Sequence, residues 1–275
     1  MSRKYIYILL LAGLSSTAFA QKKLTILHTN DTHSRIEAMP MSDKYNPGQG
    51  GVVNRKAIID SVRAVDKNVL LVDIGDFVQG TPYFNVFKGR AEAGMMDKMK
   101  YDVGTIGNHE FDYGLDTMKM IFSLLDYPIV CCNYDFSKTV LAGKVKPYVT
   151  LKKGGVKIGI IGIGVKPDGL IQKDKYEGME FLPVVETVNQ YAAHLRKKEK
   201  CDIVICLSHI GYTSDKELAD KSHNVDVILG GHSHTFMKQP EIRKNPEGKD
   251  VYIYQAGRNG VVIGKTEIEL TKKKK

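Results

Sequence analysis

Short β-branched apolar runs alternate with amphipathic stretches along nearly the whole of this chain, and five of the runs end in a carboxylate, a carboxamide or an imidazole. Runs at 24–28, 69–74, 103–106, 128–133, 157–163, 203–207, 225–229, 251–254 and 261–270 read as strands. Segments 52–65, 91–99, 115–125, 185–199 and 214–221 carry the longer period of helices. Strands that are apolar on both faces must be covered on both faces. The alternation therefore predicts an α/β fold of layered sheets with outer helices, in one domain over 21–271.

The five polar endings are Asp31-Thr32-His33, Gly75-Asp76, Gly107-Asn108-His109-Glu110, Ser208-His209 and Gly230-Gly231-His232-Ser233-His234. In open α/β sheets, functional groups collect beyond the carboxyl ends of strands, so these five loops are expected at one rim. Asp31 and His33 are placed to aim an oxygen and a nitrogen at one ion. Asp76 has two oxygens with which to bridge two ions roughly 3.5–4 Å apart. Asn108 adds a neutral oxygen, and His209, His232 and His234 add imidazole nitrogens. No thiolate belongs to the set, which suits two divalent ions of manganese, zinc or iron. The reaction class such a set serves is metal-assisted hydrolysis of phosphate esters. Gly159-Ile160-Ile161-Gly162-Ile163-Gly164 has the wrong spacing for a dinucleotide fingerprint and reads as a packed glycine-rich strand. Residues 143–155 hold a hairpin connection and 167–178 a surface loop.

Composition bounds the rest. Arg3 and Lys4, an apolar run and Ala18-Phe19-Ala20 form a secretory signal peptide over 1–20, predicting a secreted protein, periplasmic in a Gram-negative bacterium, with no transmembrane span. The formal charge of +9 draws on six cations at the ends, Arg3, Lys4 and the lysine tail 272–275, so it does not argue for nucleic acid. Cys131, Cys132, Cys201 and Cys206 lie in strand-like runs and read as buried free thiols. His28, His194 and His223 fit none of the five segments and read as structural or surface groups.

The ordered segments resemble calcineurin-like metallophosphoesterases, and most closely the amino-terminal catalytic domain of bacterial 5′-nucleotidases. Leu27-His28-Thr29-Asn30-Asp31-Thr32-His33, Gly75-Asp76-Phe77-Val78-Gln79-Gly80-Thr81-Pro82 and Gly107-Asn108-His109-Glu110-Phe111-Asp112-Tyr113-Gly114 carry the resemblance. Gly230 to His234 and Gln255-Ala256-Gly257-Arg258-Asn259-Gly260 extend it almost to the last residue. It implies an α-β-β-α sandwich of two mixed sheets flanked by helices. It also implies one metal on Asp31, His33, Asp76 and His234, and a second on Asp76, Asn108, His209 and His232. His109 then faces the scissile phosphate as a catalytic group oriented by Asp112, a metal-bound hydroxide attacks in line, and Glu110 is structural.

The family's usual second domain, which holds the nucleoside between aromatic rings and supplies arginines to the phosphate, is not found within these 275 residues. The expected substrate is a small phosphate ester, a nucleotide, with selection either loose or supplied by a separately encoded domain. A non-catalytic metal-binding surface protein is the remaining alternative, disfavoured by the presence of His109. Phe77, Tyr83 and Phe84 are aromatic candidates whose first expectation is packing. Arg258, with Arg35 as the other choice, is the candidate replacement for the phosphate arginines, beside Asn108 and His109 as substrate-binding groups.

Overall fold

The computed structural model describes residues 22–270, so the expected leader and lysine tail lie outside the described residues. Strands β1 (Lys22–Thr29), β2 (Val69–Asp73), β3 (Val103–Gly104) and β12 (Gly264–Leu270) form one sheet in the order β12-β1-β2-β3. The second sheet runs β10-β11-β9-β8-β6-β5, built from β5 (Tyr148–Lys153), β6 (Val156–Gly164), β8 (Ile203–His209), β9 (Val227–Gly230), β10 (Glu241–Lys244) and β11 (Asp250–Tyr254). Both are mixed: β1, β2 and β3 are parallel with β12 antiparallel, while β6, β8, β9 and β11 are parallel with antiparallel β5 and β10 outside them. A two-stranded ribbon pairs β4 (Tyr134–Asp135) with β7 (Glu180–Phe181).

Alternation along each strand sorts its side chains into layers. Leu24, Ile26, Leu70 and Val72 meet Ile158, Ile160, Ile205, Leu207 and Leu229 in the core between the sheets. Their neighbours Leu27, Val69 and Leu71 point the other way, toward helices α1 (Gly51–Val65), α3 (Arg90–Met99) and α4 (Gly114–Phe122). On the far side, Ile161, Val204, Cys206 and Ile228 pack against α5 (Val184–Lys197) and α6 (Tyr212–Lys221). In α5 the buried Val188, Ala192 and Leu195 recur at the spacing of one helical face. The expected α-β-β-α layering is present. Among the described residues no helix is long and apolar enough to cross a membrane.

Three departures from the sequence reading have physical causes. The apolar run at 128–133 is not a regular strand; it crosses between the sheets, its Val130 N–H bonded to Gly104 O and its Cys132 N–H to Gly162 O, both at 2.8 Å. It is apolar because it is enclosed, not because it sits in one ladder. Strands β5 and β10 went unread because they are edges, half-exposed and rich in lysine, arginine and glutamate, which is how exposed edges resist pairing with other chains. Helix α2 (Pro82–Phe87) is only six residues long, opened by a proline in its first turn, and too short to show a period.

Smaller expectations were met. Gly159, Gly162 and Gly164 lie within β6, where a Cβ on Gly162 would overlap Val130 O. All four cysteines are buried free thiols, and burial raises Cys131 to about 12. His28 is buried and lowered to about 4 by that burial, while His194 and His223 lie at the surface against Tyr148 and Glu247.

Candidate metal centre

Parallel strands of both sheets end at the same rim, and the five polar loops meet there. His33 Nε2 lies 3.0 Å from His234 Nε2, and Asp31 Oδ1 is 3.3 Å from the latter and 3.9 Å from the former. Beside them, His209 Nε2 is 3.1 Å from Asp76 Oδ2, and His232 Nδ1 is 2.9 Å from Asn108 Oδ1. The ligand-type atoms of Asp31, His33 and His234 fall within 4.8 Å of one another, as do those of Asp76, His209 and His232. A third such trio, His33, Asp76 and His109, joins the two groups.

These separations suit bound ions. Two donors about 2.1 Å from one divalent ion sit roughly 3.0–3.4 Å apart in octahedral or tetrahedral geometry. The ring orientation agrees too. His209 Nδ1 donates to Ile74 O at 2.6 Å, which turns the buried Nε2 toward Asp76 without an aligned hydrogen bond. A nitrogen and oxygen set with fixed imidazoles and a convergent unsatisfied atom fits divalent cations.

The loops reach this geometry under backbone strain. Asp31, His33, Asp76, His232 and His234 all have positive φ, between 47° and 69°. At about 1–2 kcal/mol for each non-glycine residue, the strain is on the order of 5–10 kcal/mol, comparable to a domain's net stability. Such a rim must be over-determined by other contacts. Glu110 supplies much of it: its carboxylate accepts from the backbone N–H groups of Gly107 (2.6 Å), Asp76 (3.0 Å) and Phe77 (3.1 Å). Burial, with the Asp76 charge second, raises Glu110 to about 8. Gln255 braces the other side, donating to Gly231 O at 2.9 Å and accepting from Ser233 Oγ and the Thr235 N–H. Asn30 donates to Asp31 Oδ2 and Gly257 O while accepting from Ala256 N–H. Sequence reasoning did not assign the bracing of Gln255 and Asn30; their place in the quoted motifs was the only signal. Glycines give the room, since a Cβ on Gly107 would overlap the Asp76 carboxylate.

Charge is strongly coupled here. Burial opposes ionisation of Asp76, but the neighbouring His209 outweighs it and holds the carboxyl below its usual range. Burial likewise lowers His209, and the Asp76 carboxylate overcomes it, raising the imidazole to about 10. His33 and His232 are lowered, burial being the main cause for each. His109 keeps its Nδ1 against Asp112 at 3.0 Å. Burial pulls its pKa down, but the Asp112 hydrogen bond and the Asp76 and Glu110 charges raise it on balance.

The remaining candidates are dispersed. Arg258 is exposed on the loop after β11, next to Asn259, whose N–H bonds Asp31 O at 2.7 Å. Arg35 is half-buried and lines a groove with Tyr83 and Phe87 rather than the His109 side. Phe77 and Phe84 are core side chains, and Tyr83 stacks on Phe87 and donates to Glu37.

Comparison with known proteins agrees with this architecture. Residues 24–236 match the calcineurin-like phosphoesterase family. The snake venom 5′-nucleotidase of Crotalus adamanteus is 33% identical over 90% of this chain and 45% of its own length. Among solved structures, a 5′-nucleotidase precursor from Thermus thermophilus superposes with a TM-score of 0.84 at 35% identity, over 90% of this chain and 51% of that one. The NAD nucleotidase of Haemophilus influenzae gives 0.81 at 29% identity, over 92% and 48%. The chain thus spans about half the length of the relatives it matches. With its layered sheets, its rim of carboxylates and imidazoles and this match, the chain belongs to the calcineurin-like phosphoesterase family.

Proposed function

We propose that this protein is a secreted hydrolase of phosphate esters, acting on nucleotides, with two divalent ions held by the rim donors. The carrying observation is the position of Asp76 between the two donor groups, with His109 beside it. Asp31, His33, Asp76 and His234 are assigned to one ion, and Asp76, Asn108, His209 and His232 to the other. Bound there, divalent ions supply Lewis acidity toward phosphoryl oxygens and bring water's pKa toward neutrality.

The chain's own groups do the remaining work. His109, raised in pKa and held by Asp112, presents its imidazole to charge developing on the phosphoryl oxygens or the leaving group. Asn108 orients the phosphate beside it. Arg258, adjacent to the Asp31 loop, is assigned to phosphate attraction. The leader read in the first twenty residues supports secretion. The relatives named 5′-nucleotidase support a nucleotide substrate.

The test is a hydrolysis screen of AMP, UDP-glucose, 2′,3′-cyclic nucleotides and an aryl diester, with manganese or zinc. Release of phosphate from AMP that stops with chelator and returns with metal is the expected result; no turnover of any ester rejects the proposal.

A further inference from the structure

Beside His109 lies a cleft of about 500 Å³, within the size range of small-molecule sites. The reaction centre forms one wall. Gln79, Asn85 and Tyr113 line it as well, together with Gln172 and Lys175. The last two come from the expected surface loop at 167–178. Turns bonded to Pro167 O and Gln172 O fold it back, and a Cβ on Gly114 at the start of α4 would come within 3.9 Å of the Lys175 stem.

The lining defines what fits. Its charges are already paired: Asp112 with His109 at 3.0 Å, and Lys175 with Asp174 at 3.1 Å. That disfavours a charged occupant. Phe84, Phe111, Leu170 and Ile171 line the rest of the cleft, yet a wholly hydrocarbon occupant is disfavoured as well, because the carboxamides of Gln79 and Gln172 and the Nδ2 of Asn85 have no hydrogen-bond partner among the described residues and would be stranded under it. Nor is the aromatic ring a stacking platform. Tyr113 has Phe84 against it, centroids 4.8 Å apart, and the Lys88 ammonium 3.6 Å from its ring centre. What Tyr113 offers is its hydroxyl, 3.5 Å from Asn85 Oδ1. Carboxamides and a phenol, each able to donate and accept, match a ring bearing several hydroxyls.

We infer that this cleft seats the sugar ring of the leaving alcohol, with Asn85, Tyr113 and Gln172 bonding its hydroxyls. The inference rests on the phosphoesterase reading for the position of the phosphate, but sugar binding itself does not require turnover. It makes this chain itself a contributor to substrate choice, through the sugar rather than the base.

The experiment pairs binding with rate. Ribose titrated into the full chain should shift the side-chain amide resonances of Asn85 and Gln172 in nitrogen–proton spectra. In Asn85→Ala/Gln172→Ala, the ratio of kcat/KM for ribose 5-phosphate to that for methyl phosphate should fall about five- to tenfold, the size of one or two lost hydrogen bonds. The ratio is insensitive to a general loss of active enzyme. Unmoved amide resonances at saturating ribose, or a ratio equal to that of the unsubstituted protein, overturns the sugar site while leaving the hydrolase standing. Shifted resonances in a protein that cleaves neither ester supports the sugar site and removes the hydrolase.

Discussion

The two sheets contribute different chemistry to the rim. The loops after β1, β2 and β3 bring every oxygen donor, Asp31, Asp76 and Asn108, together with His33 and His109. The end of β8 and the loop after β9 bring only imidazoles, His209, His232 and His234. The bracing differs in the same way. A buried carboxylate, Glu110, clamps three amides of the first sheet's loops, whereas a neutral carboxamide, Gln255, holds the second sheet's turn. The halves are joined by His209 Nδ1 to Ile74 O and by the His232 N–H to Asp31 Oδ2, at 2.6 and 3.0 Å. Neither sheet holds a full donor set, so the centre exists only when the sandwich is closed. That arrangement places the negative charge on one side and the exchangeable imidazoles on the other.

The sharpest way to break this asymmetry is at Asp76, the carboxylate proposed to be shared. Asp76→Asn should cost both metals and essentially all turnover; two metal equivalents remaining by elemental analysis would refute a bridging role. His109→Ala is next: both metals retained, with kcat lower by ~10²–10⁴. Loss of metal in that variant would make His109 a ligand instead. The braces then compare the two sheets directly. We expect Glu110→Gln to weaken metal affinity about 10–100-fold, since supporting partners of ligands carry effects of that size. Gln255→Ala should cost less, because Glu110 holds the loop of Asp76, which lies between the two donor groups, whereas Gln255 holds only the turn carrying His232 and His234. Equal losses in a chelator competition would erase the proposed difference between the halves.

The smallest effect concerns pH in chelator-treated protein. Asp215, buried under Ser208 on the second sheet's side, is raised by burial to about 7. Asp73, on the first sheet's side, is raised to about 7 for the same leading reason. A carboxyl raised in the folded state keeps a proton there that the unfolded chain releases near pH 4. Each group therefore makes stability fall, by ~1.4 kcal/mol per pH unit at most, between about pH 4 and 7, and adds no slope above that. The urea midpoint should be higher at pH 5 than at pH 8, and Asp215→Asn should narrow the gap. A midpoint that climbs with pH, or a gap untouched by the substitution, would show that these carboxyls do not titrate as their burial requires.

Much of the fold was legible because local pattern is sufficient for it. Central strands such as β2 and β8 are continuous apolar runs, and α5 repeats its buried face at helical spacing. The edges β5, β10 and the short α2 were not, since their sequences answer to solvent and to neighbours rather than to a period. Among the site residues, the donors could be read from their place after strands. Glu110 could be read only as structural, because the three amides it holds belong partly to a loop more than thirty residues away.

The sequence by itself determined which residue types end each strand, and therefore the donor chemistry available to the rim. Only the tertiary structure decided which donors meet, because that depends on strand order and on the facing of two sheets assembled from distant segments. It also decided the left-handed turns of five candidate ligands, which no local preference selects and which stand only because Glu110, Gln255 and the crossing bonds between the sheets hold them. The cleft beside His109 belongs to the same class: its walls come from three separate segments, and only packing brings them within reach of one substrate.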